Sequence, residues 1–465
     1  MLPKFLPNLQ YLKLRCNTGF MIAEHDLLCL QPLSRLQTLD LCIESNGQWN
    51  RRTLRPLQHL TALRAFTLRI SGSLSCPMLL DASLSKLTLL TVLRLEHYIQ
   101  AEPGAMLEGT QNVGGVIGSC TSLQELGLSG IVVGIPGQFS RLQNLQSLTM
   151  EGWALTPGLI TEQVFCGITS LSCLQTLQVN FHDAGQMDPC LFSPLQHLTA
   201  LRSLNICLHH LQPGSVVLDA SLSKLRLLTA LRLHCECSRV SEDMIHRSCI
   251  AAEVISSFTL LQSLDLRCVF DRIPHQLSLL LNLQCLTIGD RARAKDLPNF
   301  SVQPSFSRCT KLTALCLNSF SIPREADWLG TMSALAGLPS LSNIELEEVD
   351  LNSIAADRWA FPSCQTNLDI ACCELKTFPK AIVSQTSIRS LSLSANYLAD
   401  LPAGPYLEHL TTLNITSNSF TSFLDSLSVA SSLKALHIDN EEPWVDVDKL
   451  TSILPQDCEL VMLNY

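Results

Sequence analysis

The stretch Val217–Leu233, VLDASLSKLRLLTALRL, contains one complete structural unit. Its last part, Leu228–Leu233, has the pattern LxxLxL, whose second and third leucines face the same side of a β-strand because side chains alternate along a strand. Just before this pattern, Asp219 can cap a short helix through Ala220–Leu227, since its side-chain oxygen can accept a hydrogen bond from an otherwise unpaired backbone N–H. The stretch therefore predicts a capped helix, a turn and a strand that buries one face.

The LxxLxL pattern recurs along almost the whole chain, at intervals of 20 to 33 residues. Its seventeen copies begin at or near Leu9, Leu36, Leu63, Leu90, Leu123, Leu145, Leu174, Leu201, Leu228, Leu261, Leu283, Leu312, Leu341, Leu368, Ile388, Leu410 and Leu433. Repeats of about 20–29 residues with this pattern are typical of the leucine-rich repeat superfamily, which the chain resembles. The mixed repeat lengths and the related segments Ile135–Met150 and Ile273–Ile288 resemble plant or green-algal members, loosely the disease-resistance-like ones.

The resemblance implies an α/β fold, a leucine-rich repeat solenoid curved like a horseshoe. A parallel sheet is expected on the concave face, and short helices and irregular turns on the convex face. We expect residues 1–465 to form a single solenoid of about 17 repeats, because each repeat packs only against its neighbours.

A tandem duplication lies within the solenoid. Residues 36–173 correspond to residues 174–311 at an offset of 138, and Pro56–Arg64 is identical to Pro194–Arg202. Shorter repeats of 22–24 residues occupy 354–440, and 441–465 is expected to form a C-terminal cap. In the shorter repeats, the resemblance implies that Asn396 and Asn418 supply side-chain hydrogen bonds to successive turns.

The composition excludes several classes of protein. Only 16% of the residues are charged and the net charge is −9, which argues against nonspecific binding to nucleic acid through clustered Lys and Arg. There is no run of 18 uncharged apolar residues and no signal-peptide pattern, so membrane insertion is not expected. The 20 cysteines are spread over the whole length, which favours a reduced, cytoplasmic protein.

The residues between the inward-facing leucines predict a binding surface on the concave face. Neighbouring strands lie about 4.8 Å apart, so equivalent residues of successive repeats should form columns. Charged or polar residues in these columns are the candidate protein-binding residues. They are Arg69, Arg94, Arg232, His234, Arg267, Glu345 and Glu347.

No metal, cofactor or catalytic site is predicted. Cys207, His234, Cys235 and Cys268 fall on neighbouring predicted strands, and such residues can ligate zinc. The equivalent residues of the first copy are Arg69, Glu96, His97 and Gly130, which preserve no ligand set. No phosphate-binding loop, nucleophile elbow or HExxH motif occurs either.

The resemblance implies noncatalytic protein–protein recognition, with a protein partner bound by the concave face. Two alternatives remain open. The chain could be the substrate-recognition subunit of a ubiquitin ligase whose adaptor segment is absent from it, or a pathogen- or effector-recognition protein. An enzyme is not favoured, because a smooth concave sheet offers no convergent pocket of titratable groups.

Overall fold

The computed structural model describes residues 8–17, 24–44, 51–71, 80–98, 112–130, 136–152, 163–182, 190–211, 220–237, 252–267, 275–289, 307–319, 325–349, 351, 358–440 and 445–463. The chain divides into two compact units. The first comprises Met1–Arg239 with Cys249–Phe258, and the second comprises Val240–Ser248 with Thr259–Tyr465.

The first unit contains nine parallel strands that pair in sequence order. They are β1 (Tyr11–Asn17), β2 (Thr38–Glu44), β3 (Ala65–Ser71), β4 (Val92–Tyr98), β5 (Glu125–Ser129), β6 (Ser147–Gly152), β7 (Thr176–Phe181), β8 (Ser203–Leu211) and β9 (Ala230–Cys237). Each strand contains the last two apolar residues of one LxxLxL copy, as predicted.

The second unit repeats this arrangement with nine further parallel strands. They are β10 (Ser263–Arg267), β11 (Cys285–Gly289), β12 (Ala314–Asn318), β13 (Asn343–Glu347), β14 (Asn367–Ala371), β15 (Ser390–Ser392), β16 (Thr412–Asn414), β17 (Ala435–Asp439) and β18 (Glu459–Leu463). The last strand follows a helix over Val447–Ile453, which Asp446 caps by accepting from the Lys449 backbone N–H at 3.0 Å.

Short helices lie in the segments between the strands. The α-helical segments are Glu24–Leu27, 112–117, Gln163–Cys166, Ala252–Ser257, Glu325–Ala336, Lys380–Val383, Pro405–His409 and Val447–Ile453. The 3-10 segments are Leu28–Leu30, Arg51–His59, Ala82–Lys86, Gly137–Arg141, Ser193–His197, Ala220–Lys224, His275–Leu279 and Asp425–Val429. Parallel sheets connected by short helices confirm the predicted solenoid architecture.

The helix predicted over Ala220–Leu227 is shorter and tighter than expected. It is a 3-10 segment that ends at Lys224, after which the Leu225 N–H donates to the Leu222 carbonyl at 3.0 Å. Such i→i−3 bonds close tighter turns than an α-helix does. Asp219 lies outside the described residues, but its equivalent Asp81 acts as the predicted cap, accepting from the Ser83 N–H at 2.8 Å.

The leucines form a continuous core in each unit because alternate strand residues point inward. In β3, for example, Phe66, Leu68 and Ile70 are completely buried, whereas Thr67 and Arg69 remain partly exposed. Burying one such side chain is worth about 1.5–3 kcal/mol, and the stack repeats this contribution at every strand. Packing of this periodic core therefore fixes the positions of the intervening polar residues.

The asparagine ladder predicted for the shorter repeats is present. The Asn396 side chain accepts from the backbone N–H groups of Cys373 and Leu375, at 3.1 and 3.0 Å, and donates to the Ile370 carbonyl at 2.7 Å. One repeat later, Asn418 accepts from the Leu398 N–H at 3.1 Å. Both side chains thereby satisfy buried backbone groups where the chain turns after each strand.

The two copies of the duplication make the same loop contacts. Lys86 Nζ lies 2.9 Å from Gln58 Oε1, and the equivalent Lys224 Nζ lies 2.6 Å from Gln196 Oε1. Thr91 and Thr229 likewise each donate to the backbone carbonyl of an equivalent arginine at 3.1 Å. These equivalent loop residues therefore occupy equivalent local environments.

The longest helix of the described ranges is Glu325–Ala336, with 12 residues. Within those ranges no helix is long and apolar enough to cross a membrane.

Candidate functional site

The polar residues predicted to form columns do lie side by side. We call the sheet surface opposite the leucine core the strand face, and we name its two columns first and second in chain order. In the first unit the first column is Lys13, Asp40, Thr67, Arg94, Gly127, Thr149, Gln178, Asn205 and Arg232. The second column is Arg15, Cys42, Arg69, Glu96, Ser129, Glu151, Asn180, Cys207 and His234.

The second unit has matching columns. Its first column is Asp265, Thr287, Cys316, Glu345, Asp369, Ser392, Asn414, His437 and Val461. Its second column begins with Arg267, Gly289, Asn318, Glu347 and Ala371. Every candidate residue named from the sequence therefore lies on a strand face.

A ladder of ion pairs crosses the first strands of the first unit. Arg69 lies between two carboxylates, 2.7 Å from Asp40 and 2.9 Å from Glu96. Lys13 also approaches Asp40, at 3.5 Å. Burial lowers the pKa of Arg69, but hydrogen bonds to Asp40 and Glu96 outweigh this and hold its pKa above the ordinary value. Positive charges here are balanced by neighbouring carboxylates, so the ladder carries both signs and is not simply basic.

Arg94 makes a second ion pair along the strand face. Its Nε lies 2.9 Å from Oε1 of Glu125 on the next strand. The arginine stem passes over Gly127, where a Cβ atom would come within 3.3 Å of the Arg94 Cγ. About half of the Arg94 side chain remains exposed, at 48%, so it can still contact a partner.

A row of histidines crosses β7–β9. The rings of His182 and His209 stack at 5.4 Å with an interplanar angle of 13°, and His234 meets His209 edge-on, also at 5.4 Å. Two carboxylates contact the row: Glu151 lies 3.1 Å from His182 at one end, and Glu236 lies 2.8 Å from His209 in the middle. The hydrogen bond from His209 lowers the pKa of Glu236. We call these five residues the histidine row.

Of the histidine row, only His234 was a sequence candidate. Three of the others could have been found from spacing, because His182, His209 and Glu236 each follow the first leucine of their repeat by the same eight residues. That offset places them at the end of the strand, one column beyond those used for the prediction.

The strand face of the second unit is acidic around β13 and β14. Glu345 and Asp369 are neighbours in the first column, and Glu347 accepts a hydrogen bond from Asn318 at 2.6 Å. Burial, together with the charges of Glu345 and Glu347, raises the pKa of Asp369, while a hydrogen bond from Ser392 lowers it. Three carboxylates thus lie close together on two strands.

Arg267 forms an ion pair with a residue of its own strand. Its Nε lies 3.1 Å from Oδ1 of Asp265, and its side chain is 29% exposed. Burial and the charge of Glu345 raise the pKa of Cys316 to about 12, whereas Arg267 lowers it. The Cys316 thiol is therefore protonated and unreactive at neutral pH.

The geometry does not assemble the four residues considered as zinc ligands. Cys235 points into the core and is 2% exposed, whereas the preceding His234 belongs to the strand face. Cys268 lies outside the described residues. Among the residues that are described, no group of three or more His, Cys, Asp or Glu side chains is arranged to hold a metal ion.

No protein-family model matches the sequence, and no curated protein matches it either. Solved structures do match. A leucine-rich repeat protein of Leptospira interrogans is 19% identical, with a TM-score of 0.57, and the alignment covers 99% of this chain and 98% of that chain. Toll, in the Drosophila Toll–Spätzle complex, is 15% identical with a TM-score of 0.58, and the alignment covers 98% of this chain and 61% of Toll. These similarities show that the fold is that of leucine-rich repeat proteins.

Proposed function

We propose that this chain is a noncatalytic recognition platform that binds a protein partner through its strand faces. The observation that carries this proposal is a contrast between the two copies of the duplication. The three apolar positions of every LxxLxL pattern stay apolar in both copies, and the loop contacts are repeated. All five residues of the second column differ, however: Cys42, Arg69, Glu96, Ser129 and Glu151 correspond to Asn180, Cys207, His234, Arg267 and Gly289.

This contrast gives equivalent scaffolds different surface chemistry. The first copy presents an ion-pair ladder around Arg69, and the second presents the histidine row. Complementary charge sets the orientation and association rate of protein partners more than it sets raw affinity. A surface whose charges vary along its length suits a partner that is recognised over several repeats.

Arg94 and Arg232 are the proposed anchor residues. They occupy equivalent positions in the two copies, and both are exposed. Arginine is enriched among the residues that contribute most to protein interfaces. His234 lies in the second column beside Arg232, so the two can contact the same partner segment.

The fold comparison supports a protein ligand. Toll, which has the same fold, forms a complex with Spätzle. We include a cytoplasmic location in the proposal, because fifteen of the cysteines within the described ranges form no disulfide. The plant or algal affinity remains a prediction from sequence.

The test is affinity capture from native extract with the full chain as bait. Arg94→Glu combined with Arg232→Glu should remove a protein that the unaltered chain retains in stoichiometric amounts. The matched control is Lys86→Glu combined with Lys224→Glu, which makes the same charge change at duplicated loop positions. Retention by the strand-face variant and loss by the loop variant would move the binding surface to the loops. Ligase adaptor components among the retained proteins would favour the ubiquitin-ligase alternative.

A further inference from the structure

A cleft lies on the loop side of the second unit, away from the strand face. It has a volume of about 440 Å³ and is formed by Asp400–Ala403, after β15, and Phe423–Val429, after β16. Ligand pockets usually enclose about 300–1,000 Å³, so this cleft is large enough for one long side chain and its flanking backbone.

The lining combines apolar walls with negative charge. Phe423, Leu424 and Val429 supply the walls, while Asp400 and Asp425 supply carboxylates. Among the described residues that line the cleft, none is basic. This combination fits a side chain with an apolar stem and a cationic end, because the stem can pack on the walls while the charge meets a carboxylate.

The chain itself already places a cation against two of these groups. Lys449 Nζ lies 3.0 Å from Oδ1 of Asp425 and 3.5 Å from the centre of the Phe423 ring. An ammonium over an aromatic face is attracted by the negative charge of the π-system. Lys449 belongs to the helix Val447–Ile453, so its backbone is held in place by that helix.

We propose that this cleft binds an arginine or lysine side chain from an extended segment of a partner protein. The cationic group pairs with Asp400 and Asp425, and its stem packs against Phe423 and Val429. Lys449 competes with the incoming cation for Asp425. The site is separate from the strand faces and gives the platform a second contact with basic segments.

The test uses the full chain and N-acetyl-arginine amide as the probe, titrated by ligand-observed NMR. N-acetyl-citrulline amide is the neutral isostere. We expect saturable binding of the arginine probe and much weaker binding of the citrulline probe. Combining Asp400→Asn with Asp425→Asn should weaken arginine binding about fivefold, as expected for exposed ion pairs. Equal binding of the two probes, or full binding by the double variant, would overturn the proposal.

Two further variants sharpen the test. Lys449→Met should tighten arginine binding about threefold, because it removes the competing ammonium from an exposed pair. Unchanged or weaker binding would show that Lys449 does not compete and would count against the proposed cleft. Asp448→Asn removes an exposed carboxylate that does not line the cleft, so it should change nothing.

The strand-face variant separates this inference from the proposed function. Arg94→Glu with Arg232→Glu should leave binding of the arginine probe intact, whatever it does to capture of a protein partner. Thermal unfolding of each variant, followed by circular dichroism, checks that the fold is retained.

Discussion

At the residue scale, His97 is an inward-facing titratable group. It occupies the core side of β4 and is 3% exposed, and its Nε2 has no hydrogen-bond partner among the described residues. Burial lowers the pKa of His97 to about 4, against a hydrogen bond with the Gly130 backbone that raises it. Gly130 has a φ of 68°, and a Cβ there would overlap the His97 carbonyl. The equivalent of His97 in the second copy is Cys235, which is also buried.

His97 should make the folded state sensitive to acid. Below about pH 6.5 the unfolded chain binds a proton at this imidazole, whereas the folded chain does not until about pH 4. The free energy of unfolding therefore has its full value above about pH 6.5 and falls as the pH decreases from about 6.5 to about 4. Proton linkage at His97 lowers the free energy of unfolding by about 2.5 kcal/mol at pH 4.5 relative to pH 7. Urea unfolding at pH 7 and pH 4.5 measures it.

The matched variant is His97→Cys, which introduces the residue of the second copy. Its unfolding free energy should depend less on pH than that of the unaltered chain, by about 2.5 kcal/mol over the same interval. An equal pH dependence in both proteins would mean that the folded state protonates His97 as readily as the unfolded state does.

Asn396 should contribute strongly to stability. It bonds to backbone groups of two successive repeats and is 3% exposed, so Asn396→Ala leaves several buried N–H and C=O groups without a partner. We expect a loss of about 3 kcal/mol. Asn367→Ala, at an exposed position of β14, should cost less than about 0.5 kcal/mol. Chemical denaturation of both variants measures the difference, and similar losses would contradict the role assigned to Asn396.

At the element scale, the strands could be predicted because their signal is short and periodic. Two apolar residues separated by one polar residue specify which side of the strand is buried, and a register shift of one residue would expose every leucine. The helices were less predictable. The segment Ala220–Lys224 forms a 3-10 helix with i→i−3 hydrogen bonds. The pattern of leucines does not distinguish this helix type from an α-helix.

The candidate site could be predicted only in part. Its columns follow from the strand period, so Arg69, Arg94 and Glu345 were placed correctly on the strand face. The pairing within the columns depends on side-chain conformation, and the sequence did not specify it. Near the histidine row, the β8–β9 pairing shifts register between Leu208 and Leu211, where His210 adopts a φ of 55°, and the leucine pattern does not predict this shift.

The ion-pair ladder provides a prediction at this scale. Arg69→Cys leaves Asp40 and Glu96 without the guanidinium between them, and we expect a loss of about 1–2 kcal/mol in low salt. Adding Asp40→Gln and Glu96→His completes the equivalent set of the second copy and should recover most of that loss, since the three residues are coupled. Urea unfolding of the single and triple variants tests this. A triple variant less stable than Arg69→Cys would show that the residues act independently.

At the scale of the whole molecule, most contacts link adjacent repeats. Solenoids of this kind derive their stability from individual repeats and their nearest-neighbour interfaces. Each of the two compact units has its own stack of buried leucines. A local defect should therefore affect nearby repeats more than distant ones.

Hydrogen exchange followed by mass spectrometry can test this locality. Asn396→Ala should speed amide exchange in β14–β16, whereas β2–β4 should exchange as in the unaltered chain. Equal acceleration in both sets of strands would indicate that the whole chain unfolds as a single cooperative unit.

The repeated loop contacts also bear on how such a gene can change in length. Because Lys86–Gln58 and Lys224–Gln196 make equivalent contacts, we expect a recombination event in the same phase to join two blocks with these contacts kept on both sides of the junction. Each added block would extend the sheet by five strands, or about 24 Å. It would also add new residues to the columns of the strand face. Mutations could change these residues while the original columns kept their binding role. Further repetition of the 138-residue block would therefore give related chains that differ in length by whole blocks.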